Sequence, residues 1–159
     1  MKAAYTGTFD PITLGHTDMI TRASAMFDEL VVAIARSSAK NPLFTLEQRV
    51  DMAERALAHI PNVRVCGFSG LIIEFARQNG VTVLVRGVRN NTDFDYESQM
   101  ARMVKHLAPE IDTIILPPTA KYAHISSTLV REIAQLGGPL TDLVPELVEE
   151  EAKSRPWES

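Results

Sequence analysis

"TGTFDPITLGHTD", residues 6–18, sets glycines, threonines and one histidine between two patterned segments. Before it, a short apolar run ends near Thr6. After it, a helical pattern begins near Leu14 and runs through Ile20 and Ala23 to Phe27. A strand that ends in a glycine-containing loop and opens into a helix is the first turn of a βαβ unit. In an open parallel sheet that turn sits at the carboxyl ends of the strands, where ligands bind. Gly7 lets backbone approach closely and Pro11 stiffens the turn. Gly15 and His16 fall in the first helical turn, where free N–H groups and the positive end of the helix dipole favour an anion. Thr13 and His16 are three residues apart, so both side chains can address one phosphate group. The same residues also read as an ordinary turn, with Thr13 a helix cap and His16 a surface histidine, and the stretch alone does not choose.

Outward from this turn, short runs rich in β-branched residues alternate with stretches of helical period, which is the pattern of βαβ units around a parallel sheet. The strand candidates are 2–6 (KAAYT), 30–35 (LVVAIA), 63–68 (VRVCGF), 82–87 (TVLVRG) and 113–117 (TIILP). Residues 45–60 open on a Thr45/Gln48 capping box and place Leu46, Val50, Ala53, Leu57 and Ile60 on one helical face. A second helix falls in 70–80 with Gly80 as its stop. A third falls in 93–107 with Met100, Met103, Val104 and Leu107 facing inward, and a fourth in 126–138. From Leu140 the chain loses β character and reads as one or two short helices with a charged end, a peripheral tail or an oligomer contact. Within that tail Glu149–Glu151 read as a solvated face. The expectation is a single α/β domain over residues 1–159, doubly wound and Rossmann-like, with a five-stranded parallel sheet and a helical extension over about 140–159.

Composition agrees. At 159 residues, with 45% hydrophobic and 23% charged residues, the chain has the makeup of one globular domain. A formal net charge of −4 opposes a generic nucleic-acid or anionic-membrane surface, so neither partner is expected. The N-terminus lacks the apolar run of a signal peptide and no long apolar run follows, which reads as a cytoplasmic protein. The one cysteine, Cys66, lies in an alternating strand and reads as a structural thiol.

Within this acidic chain the cations gather after the strands. Arg36 and Lys40 follow the second strand in "RSSAKNPLF". Arg86 and Arg89 flank Gly87 in "RGVRNNTDFDYE", and Lys121 precedes a serine-rich helix start in "PPTAKYAHISST". Basic charge focused at equivalent ends of several strands points to phosphate chemistry.

"TGTFDPITLGH" matches the T/HxGH signature of the nucleotidyltransferase superfamily. Together with "RGVRNNTDFDYE" and "ISSTLVRE" the chain resembles the bacterial-type phosphopantetheine adenylyltransferases over nearly its whole length. The resemblance implies reversible transfer of the adenylyl group of ATP to 4′-phosphopantetheine, giving dephospho-coenzyme A and pyrophosphate, with Mg2+ assisting and a homohexameric assembly. It places Thr8 and Phe9 where the two substrates meet and makes His16 the transition-state stabiliser. Lys40 and Arg86 match the residues that hold the acceptor phosphate, with Thr8 shared, and Ile72 lines the pantetheine arm. Gly87, Val88, Arg89, Glu97 and the run Tyr122, Ala123, His124, Ile125, Ser126, Ser127, Thr128 match the ATP-binding segments, with Thr8, Phe9 and His16 also at ATP. No protein ligand to Mg2+ is assigned. Two positions depart from the pattern. Thr6 stands where the family usually has proline, which reads as a backbone detail. Val104 stands where many members carry asparagine, which removes a side-chain amide from the pantetheine contacts.

Adenylyl transfer between two phosphates needs an in-line acceptor and charge stabilisation, and no general base, because a phosphate monoester is already an anionic nucleophile. Lys40, in a polar, proline-containing loop, reads as a cation that steadies phosphate oxygens and cannot itself attack phosphorus. His59 and His106 fall near helix C-termini, where an imidazolium complements the dipole, and His124 lies in the candidate nucleotide loop. Asp93, Asp95 and Glu97 gather at a helix start, where acids are favoured without a metal. Rival readings are a nucleotidyltransferase for nicotinamide mononucleotide or glycerol 3-phosphate, a nucleotide-binding module without turnover, and a flavodoxin-like or receiver-type domain.

Overall fold

The computed structural model describes residues 1–36 and 41–155. Five strands, β1 (Lys2–Gly7), β2 (Glu29–Ala35), β3 (Val63–Phe68), β4 (Val83–Gly87) and β5 (Asp112–Leu116), form one parallel sheet in the order β3-β2-β1-β4-β5. The helices are α1 (Leu14–Ser24), α2 (Leu46–Leu57), α3 (Ile72–Gln78), α4 (Asn91–Leu107), α5 (Ser127–Gln135) and α6 (Glu146–Ser154), with a 3-10 turn at Ala120–Tyr122. The expected α/β, doubly wound, Rossmann-like architecture is thus observed. Strand order reverses between β1 and β4, which pair in register from Ala3 opposite Val83 to Tyr5 opposite Val85. Their C-terminal ends therefore open the crevice at the switch point of the sheet.

Side-chain alternation along the strands splits the core in two. Ala3, Tyr5, Val32, Ile34 and Val85 pack toward α1, α2, α5 and α6. Ala4, Val31, Ala33 and Leu84 pack toward α3 and α4. The capping box of α2 forms as expected: the Gln48 amide donates to Thr45 Oγ1 at 3.1 Å and Gln48 Oε1 accepts from the Thr45 amide at 2.9 Å. Gly80, at φ +67°, ends the turn after α3 in the left-handed region where a Cβ is disfavoured. Among the described residues no helix is long and apolar enough to cross a membrane.

Three expectations are corrected. Helix α1 ends at Ser24, short of Phe27, because the Met26 amide turns back to the Ala23 carbonyl at 3.0 Å. On α4, Val104 faces inward, but Met100, Met103 and Leu107 are exposed. The buried face runs instead through Glu97, Val104 and the following Ala108, one residue round the helix from the apolar stripe. On that face Glu97 pairs with Arg86, and Val104 and Ala108 pack into the cluster with Ile73, Phe75 and Leu84.

The segment after Leu140 is not a peripheral tail. Leu140, Val144, Val148 and Ala152 recur every four residues and are buried in the same core as β1 and β2. The Leu143 carbonyl accepts from the Leu14 amide at 2.9 Å, so this segment also fixes the start of α1. Its charged residues misled the reading, since Glu149 is spent locally, accepting from the Leu140 amide at 2.7 Å. Val148→Ala is accordingly expected to cost about 2 kcal/mol of stability by leaving a core cavity. On a peripheral tail the same change would cost under about 0.5 kcal/mol. Urea denaturation of the two proteins distinguishes these values.

Candidate active site

The β1–α1 loop is fastened from three directions by residues that sequence reasoning did not single out. The Asp10 carboxyl, 3% exposed, accepts from the Leu43 and Phe44 amides at 2.8 and 2.9 Å. Arg49, 2% exposed, donates to the carbonyls of Thr8, Ala35 and Phe44 at 2.8, 2.9 and 3.2 Å. Arg131 donates to the Asp10 carbonyl at 3.0 Å. A signal for Arg49 existed: it lies three residues after Leu46 and four before Ala53, on the buried face of α2. A buried cation there has backbone carbonyls to serve. Phe9 takes φ +49°, uncommon for a residue with a side chain, and this anchored loop holds it there.

That conformation sets the Phe9 ring edge-on to the His16 ring, with centroids 4.7 Å apart at 63°. Thr13 caps α1, as one reading of the opening stretch expected, and His16 completes the box. The Thr13 amide donates to His16 Nδ1 at 3.0 Å, while the His16 amide donates to Thr13 Oγ1 at 3.3 Å. An Nδ1 that accepts from an amide carries no proton, so the neutral ring bears its hydrogen on Nε2. Burial, helped by the charge of Arg89, lowers the His16 pKa from 6.5 to about 4. His16 is thus a neutral hydrogen-bond donor at physiological pH. Beside it the Tyr5 phenol is pushed up to about 12, chiefly by burial, and stays protonated. Neither ring exchanges a proton near neutrality.

Two clefts flank the ends of β1 and β4. One, of about 220 Å³, is lined by His16, Gly87, Val88, Arg89, Tyr122, Ile125 and the hydroxyl-bearing run Ser126–Thr128, which opens α5. A Cβ at Gly87 would meet Met19 Cε and the Tyr5 hydroxyl, each at 3.2 Å, so either side-chain end would have to shift to admit a larger residue. Arg89 is held by the Asp93 carboxyl at 3.6 Å and donates weakly to the Ile125 carbonyl at 3.4 Å. The Asp93 carboxyl is therefore occupied. Among the described residues no three acidic, histidine or cysteine side chains converge as a metal site would require.

The other cleft, of about 280 Å³, is lined by Thr6, Thr8, Ile72, Arg86, Glu97 and Val104, with Phe68, Leu84 and Met100 adding apolar wall. Arg86 donates from Nε and Nη2 to the two Glu97 oxygens at 2.9 and 2.8 Å. Its Nη1 donates to the Thr6 carbonyl at 2.8 Å and to Thr6 Oγ1 at 2.7 Å. Burial works against the guanidinium charge, yet the Glu97 hydrogen bonds and charge outweigh it and hold the Arg86 pKa above its ordinary value.

The expected site residues thus divide between the clefts. His16, Gly87, Val88, Arg89, Tyr122, Ile125, Ser126, Ser127 and Thr128 gather in the first. Thr8, Ile72 and Arg86 gather in the second. Glu97, expected with the nucleotide group, sits instead on Arg86, because it lies one turn beyond Asp93 on the sheet-facing side of α4. Phe9 is buried behind His16 and lines neither cleft, nor do Ala123 and the exposed His124. Lys40 lies outside the described residues. Thr6, expected to be a backbone detail, engages Arg86 through its side chain.

The sequence model of a family described as cytidylyltransferase-like matches residues 4–133. Among solved structures, the fold is similar to that of a bifunctional NMN adenylyltransferase/ADP ribose pyrophosphatase from Francisella tularensis. The TM-score is 0.69 and the identity 17%, over 90% of this chain and 44% of that one. The chain therefore spans less than half the length of that protein, and the likeness is one of fold.

Proposed function

The chain belongs to the cytidylyltransferase-like family, within the nucleotidyltransferase superfamily, and from that premise we propose that it transfers the adenylyl group of ATP to 4′-phosphopantetheine. The products are dephospho-coenzyme A and pyrophosphate, and the setting is coenzyme A synthesis in the cytoplasm. One observation carries the reading. The consecutive residues Arg86 and Gly87, at the end of β4, open adjacent clefts to opposite sides, and each cleft has its own arginine. Two anionic substrates fit such a site better than one. The His16 cleft takes ATP, with its phosphates toward the start of α1 and the α5 hydroxyls. The Arg86 cleft takes the acceptor, with its phosphate at Arg86, Thr8 and Lys40 and its arm along Ile72 and Val104. Where a side-chain amide would have met that arm, the methyls of Val104 do.

In this reading an acceptor phosphate oxygen attacks the α-phosphorus, the bond to the β-phosphate oxygen breaks, and pyrophosphate leaves with the displaced electron pair. His16 Nε2–H and Arg89 stabilise the charge that develops on the phosphoryl oxygens. No proton is abstracted, which suits a site whose two rings stay fixed in protonation. The donors of the His16 cleft are hydroxyls, an imidazole and a guanidinium, a set for anions. Mg2+ is proposed to enter on the nucleotide phosphates, neutralising part of their charge, with no protein carboxylate assigned to it. A homohexamer is proposed from the resemblance, and the exposed stripe of Tyr96, Met100, Met103 and Leu107 on α4 supports self-association.

Pyrophosphate release on adding ATP and a panel of acceptors tests the reading. 4′-Phosphopantetheine is expected to be turned over, and nicotinamide mononucleotide and glycerol 3-phosphate are not. Preference for either of the latter would overturn it. Direct displacement further predicts that labelled pyrophosphate exchanges into ATP only when acceptor is present. Exchange with ATP and magnesium alone would show a covalent intermediate, and sedimentation of the pure protein measures the assembly.

A further inference from the structure

We infer that Thr6 is a positioning residue for the acceptor: its hydroxyl and carbonyl fix the plane of the Arg86 guanidinium so that a phosphate entering that cleft meets it in one orientation. The donor count shows why. Glu97 takes one N–H from Nε and one from Nη2, and Thr6 takes both from Nη1. That leaves one guanidinium N–H, on Nη2, without an acceptor among the described residues. Fork pairing with Glu97 alone restrains the guanidinium from one edge. The two Thr6 oxygens restrain it from another, and a group held on two edges neither rotates nor slides when a phosphate competes for it.

Position and strand geometry make this specific to Thr6. It follows Tyr5 in β1, and Arg86 follows Val85 in β4, next in the register after the Tyr5–Val85 pair. The two residues are therefore neighbours across the switch point by construction of the sheet. A carbonyl is available at this place whatever the side chain, but a second oxygen on the same residue is not. With an apolar side chain at position 6, one Nη1 N–H of a largely enclosed guanidinium would lose its partner. Thr6 is also among the residues that line the cleft where the acceptor phosphate is proposed to sit.

The inference rests on the Arg86 cleft being the acceptor site, and the test keeps the two apart. Isothermal titration of 4′-phosphopantetheine and, separately, of ATP into wild type, Thr6→Val and Thr6→Ser reads positioning as a difference between ligands. Thr6→Val is expected to bind the acceptor about tenfold more weakly, the lower end for a hydrogen bond to a charged group, with ATP affinity unchanged. Thr6→Ser, which restores the hydroxyl, is expected to return acceptor affinity to wild type. Acceptor binding unaltered in Thr6→Val would overturn the inference, as would equal losses for both ligands or a loss that serine does not rescue. If wild type fails to bind 4′-phosphopantetheine, the proposed substrate is wrong, and inorganic phosphate serves as the probe with the same ordering of variants expected. If wild type binds neither, Arg86 holds no phosphate and the role assigned to Thr6 falls with it.

Discussion

Replacing His16 by alanine is expected to lower kcat about 10²-fold or more while ATP affinity changes by less than about threefold, the pattern for loss of a donor used chiefly in the transition state. Three features single out this ring. Nδ1 is committed to the Thr13 amide, so only Nε2–H is left to donate. The Phe9 ring at 4.7 Å buttresses one side. Its neutrality at pH 7 means the donor is present whatever the bulk pH near neutrality. Because His16 also completes the cap of α1, alanine carries a stability cost as well as a catalytic one. His16→Gln separates the two effects. Glutamine at the same cap position already serves α2, where Gln48 accepts from the Thr45 amide. It is expected to restore Tm and only part of kcat. Steady-state kinetics and thermal melts of the two variants check this, and kcat within threefold of wild type for His16→Ala would sink the mechanism.

The same lowered pKa has a pH signature. Folded His16 titrates near 4 against 6.5 for the free side chain, so between those values the unfolded chain binds the extra proton. Stability contributed by His16 is therefore complete above about pH 6.5 and is lost as the pH falls toward 4. The wild-type-to-His16→Ala ratio of kcat should stay flat between about pH 5 and 8, whereas a histidine acting by titration would give an inflection near 6.5. Taking the ratio removes the ionisation of the acceptor phosphate, which both proteins share.

What could be read in the sequence was whatever depends on local pattern. Alternating apolar runs located all five strands, the Thr45/Gln48 spacing gave the α2 cap, and of the cations read after strand ends Arg86 and Arg89 line the two clefts, while Arg36 and Lys121 line neither. What could not be read depends on which side chains meet across the sheet. The inward face of α4 differs by one residue from the apolar stripe, because apolarity favours Met100, Met103 and Leu107, while the buried side carries Glu97, paired with Arg86, together with Val104 and Ala108. The last segment looked peripheral because three consecutive glutamates, Glu149–Glu151, stand in it, yet Leu140, Val144, Val148 and Ala152 recur every fourth residue and are buried. Asp10 and Arg49 escaped notice for a related reason. Asp10 lies in a loop with no period to place it, Arg49 carries a charge on the otherwise apolar buried face of α2, and only the folded chain shows that the loop before His16 depends on both.

Arg86→Ala is expected to produce two separable losses. The first is in stability. Glu97, whose side chain is 9% exposed, would be left without the two N–H donors it now has, a change that costs about 3 kcal/mol when a buried pair loses one partner. The second is in binding: the acceptor should weaken by about 1.5 to 3 kcal/mol, the value of a charge-assisted contact to phosphate, with ATP little affected. The double variant Arg86→Met, Glu97→Met tells them apart, since replacing both partners by apolar groups removes the orphaned carboxyl. It is expected to regain most of the lost stability in urea denaturation and none of the acceptor affinity. Arg89→Ala should show the reverse preference, weakening ATP and sparing the acceptor, because its side chain serves the cleft on the other side of Gly87. Titration of each ligand into each variant measures the split. Were Arg86→Ala and Arg89→Ala to weaken both ligands alike, the two clefts would be one site, and the assignment of nucleotide to one and acceptor to the other would be wrong.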